Sequence, residues 1–357
     1  NVTDLADDAF YGSTNLKNIT VSSKNKTFQL KNDALYNRNG DILLYYPAAK
    51  GGNYQITGDT VQIGNNAFAY TKCKNIGIPE GVESFGENCF VYSQITKIEF
   101  PASIKKFGKK MFYNSQLTTV TFASDQKADT LEDDMFSFCQ NLNEIEIPKN
   151  IENLGINTFA YSSLRRVSFA PGSVMKNIGS KAFSYCPIEE FQVPDGVEII
   201  SSYMFYFCQQ LKKLEFGVAS SCSRIDAYAF SMCPNLEKIE LPSRLTTIGA
   251  NAFWGCSATE IKIGKGITRI EPGAFSHCTS LEILSVDSEN KVYTAENGIL
   301  FNKDKTELLI YPAGRTENYQ LPDGVKKIAD SAFAGAGIEA VIFNDALTEI
   351  GQNAFSE

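Results

Sequence analysis

Only one histidine, His277, stands among the 357 residues. Nucleophilic triads and Cys-His pairs need an imidazole as their base, so no such arrangement rises above chance here. The nine cysteines contain no C-x-x-C pair. With a single histidine beside them, the spacing of a metal site is missing as well. No apolar run reaches the roughly 18 residues of a membrane span, and no basic-then-apolar leader opens the chain. Basic charge is also short: Lys+Arg 33 against Asp+Glu 41 leave a net charge of -8, with a pI near 5.0. That balance argues against a phosphate-binding surface and so against nucleic acid. Gly264-Lys265-Gly266 resembles the start of a phosphate loop, but it occupies the turn where other repeats carry Pro-x-Gly, as in Pro194-Asp195-Gly196. The acidic group Asp129, Glu132, Asp133 and Asp134 lacks the spacing of a calcium loop. No enzyme, cofactor or metal is expected.

What is present is a repeat. Asn235-Leu236-Glu237-Lys238-Ile239-Glu240-Leu241-Pro242, then Leu245, Ile248-Gly249 and Asn251-Ala252-Phe253, is one copy of a pattern that recurs every 22 to 25 residues. A period in that range means a solenoid, whose units each bury an apolar face only against their neighbours. The phenylalanine column runs Phe10, Phe68, Phe90, Phe112, Phe136, Phe159, Phe183, Phe205, Phe230, Phe253, Phe275, Phe333 and Phe355. Each should stack on the next and carry most of the stability. In Leu236-x-x-Ile239-x-Leu241 the period of two predicts a strand with Lys238 and Glu240 outward, and stacked copies predict a parallel sheet. Pro242 ends the strand, Gly249 permits a corner, and a short helical or 3₁₀ piece should carry Phe253 inward. Two phenylalanine intervals are too long, Phe10 to Phe68 and Phe275 to Phe333. There, at about 22–57 and 287–322, apolar runs flank Asn37-Arg38-Asn39-Gly40 and Asn302-Lys303-Asp304-Lys305, which reads as two β-hairpin turns. A single domain over 1–357 follows. Both ends fall inside a turn with no polar cap, as in a fragment of a longer chain.

The Leu-x-x-Ile-x-Ile-Pro strand, the Ile-Gly-x-x-Ala-Phe arc and the x-x-Cys after it resemble the BspA-like leucine-rich repeats of bacterial surface proteins, over essentially the whole chain. The resemblance implies a right-handed leucine-rich repeat solenoid. Its parallel β-sheet would form the concave face, with short helical or 3₁₀ turns and short strands on the convex side and two β-hairpin insertions. It also implies a cell-surface or secreted bacterial protein, some relatives binding host glycoproteins. A monomer is expected, with a protein or glycoprotein ligand, no nucleic acid, and its leader and anchor outside this stretch.

Two surfaces are candidates for binding. The outward strand positions Lys97, Glu99, Glu144, Glu146, Arg166, Glu190, Lys213, Glu215, Lys238, Glu240, Glu260 and Lys262 read either as a solvated sheet face or as a protein-recognition face. An aromatic stripe lies two residues after each phenylalanine, at Tyr70, Tyr92, Phe138, Tyr161, Tyr185 and Phe207, continued by Met232 and His277. It reads as an edge seal or as a platform for sugars or a partner. Trp254 is one position out of that column and expected to be exposed. The hairpins either extend the strand face or replace missing phenylalanine arcs. Cys139, Cys186, Cys208, Cys233, Cys256 and Cys278 each follow their phenylalanine by three residues, where other turns hold Ser, Thr or Ala. The slot asks for a small buried side chain, so free thiols are expected rather than disulfides.

Overall fold

A single turn cannot close its own core, and the structure shows how successive turns close it. The computed structural model describes residues 2–357 in two compact units, divided between Met175 and Lys176. Each is a β-solenoid of stacked coils. In the first unit the long strands Gly52–Gln55, Cys73–Gly77, Lys97–Phe100 and Thr119–Phe122 form one parallel sheet, and Glu144–Ile147 pairs with Arg166–Phe169. In the second, Glu190–Val193 pairs with Lys213–Phe216 and Glu260–Ile263 with Ile283–Val286. Two-residue strands make a second parallel ladder, as in Ile199–Ile200, Arg224–Ile225, Thr247–Ile248 and Arg269–Ile270.

The arcs that carry the phenylalanines are not helical, and no helix occurs among the described residues. Their amides point sideways instead. Asn88, Phe90 and Tyr92 donate to the carbonyls of Lys109, Met111 and Tyr113 in the next turn at 2.8–2.9 Å. The amides between them close tight turns, Val91 to Asn88 and Ser93 to Phe90. Positions two before and two after the phenylalanine take a left-handed backbone, Asn88 and Tyr92 both at φ 55, which a right-handed helix excludes. This explains the Asn at Asn66, Asn88, Asn157, Asn251 and Asn353, since Asn enters that region at little cost. Gly249 serves a different need from a flexible corner. A Cβ there would stand 2.6 Å from the Ala227 amide nitrogen, so the glycine lets two turns approach closely.

Both hairpin turns are three-stranded. Phe28–Lys31, Ala34–Asn37 and Ile42–Tyr45 run antiparallel, and the last joins the short-strand ladder at Gln62–Ile63. The Asn37 side-chain oxygen accepts from the amides of Gly40 and Ile42, which fixes the turn. Tyr46 then donates its amide to Ala67 (2.8 Å) and stacks on Phe68 (5.5 Å). Tyr293–Glu296, Ile299–Asn302 and Glu307–Ile310 repeat this arrangement, with Tyr311 donating to Ala332 (2.7 Å) and stacking on Phe333 (4.8 Å). The hairpins are therefore substitutes for the missing arcs, with tyrosine in the phenylalanine slot.

Two expected strands are not formed. Leu16–Val21 lies outside any sheet, its Leu16 carbonyl taken by the Ala49 amide. More unexpectedly, 236–241, the best copy of the repeat, pairs with neither neighbour. For the pairing with the preceding strand, the reason lies one corner earlier. Phe216 to Phe230 spans 14 positions where Val193 to Phe205 spans 12. The longer corner turns Ser220 and Cys222 into the core and ties Ser221 to the Asp195 carbonyl. In the first unit Phe122 to Phe136 is likewise 14, and there Thr119–Phe122 and Glu144–Ile147 fail to pair.

Candidate functional site

The strand positions alternate as the period of two requires. Ile98, Ile145, Phe191, Leu214, Ile239 and Ile261 are buried, while all twelve predicted outward residues are exposed. Lys97, Glu99, Glu144, Glu146 and Arg166 belong to the first unit, and Glu190, Lys213, Glu215, Lys238, Glu240, Glu260 and Lys262 to the second. Register sets Glu144 opposite Arg166 and Glu190 opposite Lys213. Along single strands Lys97 pairs with Glu99 (2.6 Å), Lys213 with Glu215 (2.7 Å) and Lys238 with Glu240 (2.5 Å). The hydrogen bond that Lys213 donates to Glu215 raises the Lys213 pKa, and the one that Glu240 accepts from Lys238 lowers the Glu240 carboxyl. These groups are fully exposed, so solvent screens the pairs and leaves their charges available to a partner.

A hollow of about 740 Å³ on this face lies over the opened sheet of the second unit. Besides Lys238, Glu240, Glu260 and Lys262 it is lined by Glu237, Lys265, Asp287 and Glu289. Strand alternation alone does not point to those four, because they sit at strand ends and corners. The signal for the hollow is the 14-residue corner before it.

The aromatic stripe is continuous in the first unit: Tyr11, Tyr70, Tyr92, Tyr113, Phe138 and Tyr161 follow one another at ring separations of 4.7–5.9 Å. Tyr11 and Tyr113 stand one residue after their phenylalanine, outside the expected column, and still enter the ladder. In the second unit Tyr185 meets Phe207 at 4.9 Å, and Tyr203 stacks on Tyr228 at 4.8 Å. Trp254 is half-buried rather than exposed, because it packs on His277 at 4.7 Å. Tyr92, Tyr161 and Tyr185 remain exposed, whereas Tyr70 is half-buried. Burial and the hydrogen bond it donates to Tyr11 push the Tyr70 hydroxyl up to about 12.

All nine cysteines are free and buried. The thiols of Cys139, Cys208, Cys233, Cys256 and Cys278 donate to the phenylalanine carbonyl of the preceding turn at 3.1–3.3 Å. Burial raises them, Cys139 to about 11 and Cys233 and Cys278 to about 12. Thiols so placed are inert core groups. Among the described residues, no group of three or more His, Cys, Asp or Glu side chains is placed to hold a metal ion. No helix there is long and apolar enough to cross a membrane.

Stacked parallel coils with a strand face of alternating residues define a leucine-rich repeat solenoid. The BspA type leucine rich repeat region matches residues 1–40, 61–186, 176–292, 215–316 and 311–357, and the chain belongs to that family. No match is found among curated proteins. The structure is similar to the pneumococcal vaccine antigen PcpA, with 19% identity over 93% of this chain and 90% of that one and a TM-score of 0.54. A leucine rich cell surface protein of Faecalibacterium prausnitzii shares 21% identity over 94% of this chain and 75% of its own, TM-score 0.47. A leucine-rich repeat protein of Eubacterium ventriosum shares 22% over 67% of this chain, TM-score 0.36, and this chain spans only 51% of it. At such identities the likeness concerns the fold alone.

Proposed function

We propose that this chain is a non-enzymatic, monomeric binding module of a bacterial cell surface or secreted protein, and that it recognises a protein or glycoprotein through its strand face. The observation that carries this reading is the exposed, mixed charges at the outward strand positions of each unit, over a buried core, the kind of surface repeat proteins use for recognition. Kinship with the BspA type repeats supports it, and the shared fold with a vaccine antigen supports exposure at the surface. The phenylalanine spacing from Phe159 to Phe183 to Phe205 stays within the 22 to 25 residues of the repeat, which supports reading 1–357 as one array.

Capture of glycans by the aromatic stripe is the second reading, favoured by the exposure of Tyr92, Tyr161 and Tyr185. Against it, Tyr70 lies flat on Tyr92 and Phe138 on Tyr161, with interplanar angles of 19° and 6°. Those rings cover each other's faces, the surfaces on which a sugar would stack.

The test is binding of the immobilised chain to a panel of matrix glycoproteins, each intact and enzymatically deglycosylated. Saturable binding that survives deglycosylation and is weakened by Glu215→Lys supports the strand face. Loss on deglycosylation, with sensitivity to Tyr161→Ala, transfers the function to the stripe. No binding to any of them leaves a passive stalk.

A further inference from the structure

We infer that the hollow over the opened sheet of the second unit receives an extended, lysine- or arginine-bearing peptide segment of the protein partner. This rests on the protein-recognition reading and names the chemistry of its ligand.

Three observations carry the inference. First, the backbone amides and carbonyls of Lys238, Ile239, Glu240 and Leu241 make no hydrogen bond with either neighbouring turn, although the segment runs alongside paired strands. Backbone polar groups of this kind need water or a partner, and an extended peptide supplies matching donors and acceptors. Second, Ile239 and Ile261 form the floor of the hollow and are only 6% and 1% exposed, so a ligand would lie along the exposed Glu237, Lys238 and Glu240 rather than enter the core. Third, the charges are unequal. Lys238 is engaged by Glu240, Lys265 by Glu289 (3.0 Å), and Lys262 stands 4.0 Å from Asp287. Glu237 and Glu260 remain without an ion pair. Two carboxylates without an ion pair, lining one hollow, favour a cationic donor and repel an acidic chain.

The probe is a fluorescein-labelled, end-capped Lys-Thr-Lys-Thr-Lys-Thr-Lys peptide, followed by anisotropy with the full chain. Saturable binding is expected, weakened about tenfold by the double substitution Glu237→Gln and Glu260→Gln, the size of one lost charge-assisted hydrogen bond. The charge-matched control, Glu80→Gln with Glu87→Gln at exposed positions of the first unit away from the strand face, should stay within about twofold, as for sites that share no partner. N-methylation of the peptide's threonine amides should weaken binding by a similar factor. Equal loss in both double variants would mean general attraction to an acidic protein and overturn the inference. So would absence of saturable binding, or indifference to N-methylation. If glycoprotein binding stays sensitive to Glu215→Lys while the peptide fails, the hollow is wrong and protein recognition stands.

Discussion

In the second unit the two sides of each coil behave differently. On the arc side Phe183, Phe205, Phe230, Phe253 and Phe275 stack without interruption at 5.2–5.5 Å, and Phe205, Phe230 and Phe253 each donate their amide to the next turn. On the strand side the sheet stops after Lys213–Phe216 and resumes only at Glu260–Ile263. The first unit repeats the contrast, Phe112 and Phe136 lying within 2° of parallel across the turn where the long strands do not pair. The arc is thus the spine of the repeat. A two-residue insertion in the corner is absorbed by the strand face, where pairing is lost but Ile239 stays buried.

If the spine is the seat of stability, the groups buried along it should dominate the response to alkali. A free thiol ionises near 9, whereas Cys139 is held to about 11 and Cys233 and Cys278 to about 12. Below about pH 9 both states keep the proton and nothing is lost. Between 9 and 12 the unfolded chain releases protons that the folded chain retains, so stability falls as pH rises, by about 1.4 kcal/mol per pH unit for each thiol. Several thiols acting together should bring the urea midpoint down steeply between about pH 9 and 10.5, the largest effect expected here. Replacing Cys208 and Cys233 by Ser, a residue the slot already accepts at Ser115 and Ser162, should flatten that slope. A midpoint independent of pH would remove the thiol ladder from the spine.

Next in size is Phe230→Ala. It removes a fully buried ring between Phe205 and Phe253, and a loss of about 3–5 kcal/mol is expected from the transfer and cavity terms. Calorimetry of the purified variant checks it. A change below about 1 kcal/mol, the centre of ordinary point substitutions, would mean that the strands rather than the arcs hold the coil together.

Much of the spine is legible in sequence because burial recurs with the repeat: the phenylalanines, the small slot filled by Cys or Ser, and the outward Lys/Glu alternation all stand where the period puts them. Tyr46 and Tyr311 escape that reading because the hairpins shift the column onto a strand end, where an aromatic has no Ala-Phe signature. The left-handed arc hides behind a spacing that also suits a helical turn, though the Asn two residues before so many phenylalanines is its mark. Residues 236–241 match the repeat best and yet stay unpaired, because pairing depends on the neighbours' register and that is set by corner length. Tyr113 joins the stripe from the adjacent position because Asn114 occupies the left-handed site at φ 53.

The smallest effect on stability, and the one that bears most on function, is expected at Glu215→Lys. Glu215 sits on the last paired strand before the opening, exposed and bonded only to Lys213. Reversing its charge loses a solvent-screened surface pair and creates screened repulsion within one strand, so the melting temperature should stay essentially unchanged. Binding of a protein partner should weaken severalfold, because complementarity across an interface is felt in recognition even where a surface charge adds nothing to folding. The two readouts must be taken on the same variant. Unchanged melting with weakened binding separates the face that recognises from the spine that holds, whereas a large fall in melting temperature would place the strand face among the load-carrying parts and remove the distinction between the two sides of the coil.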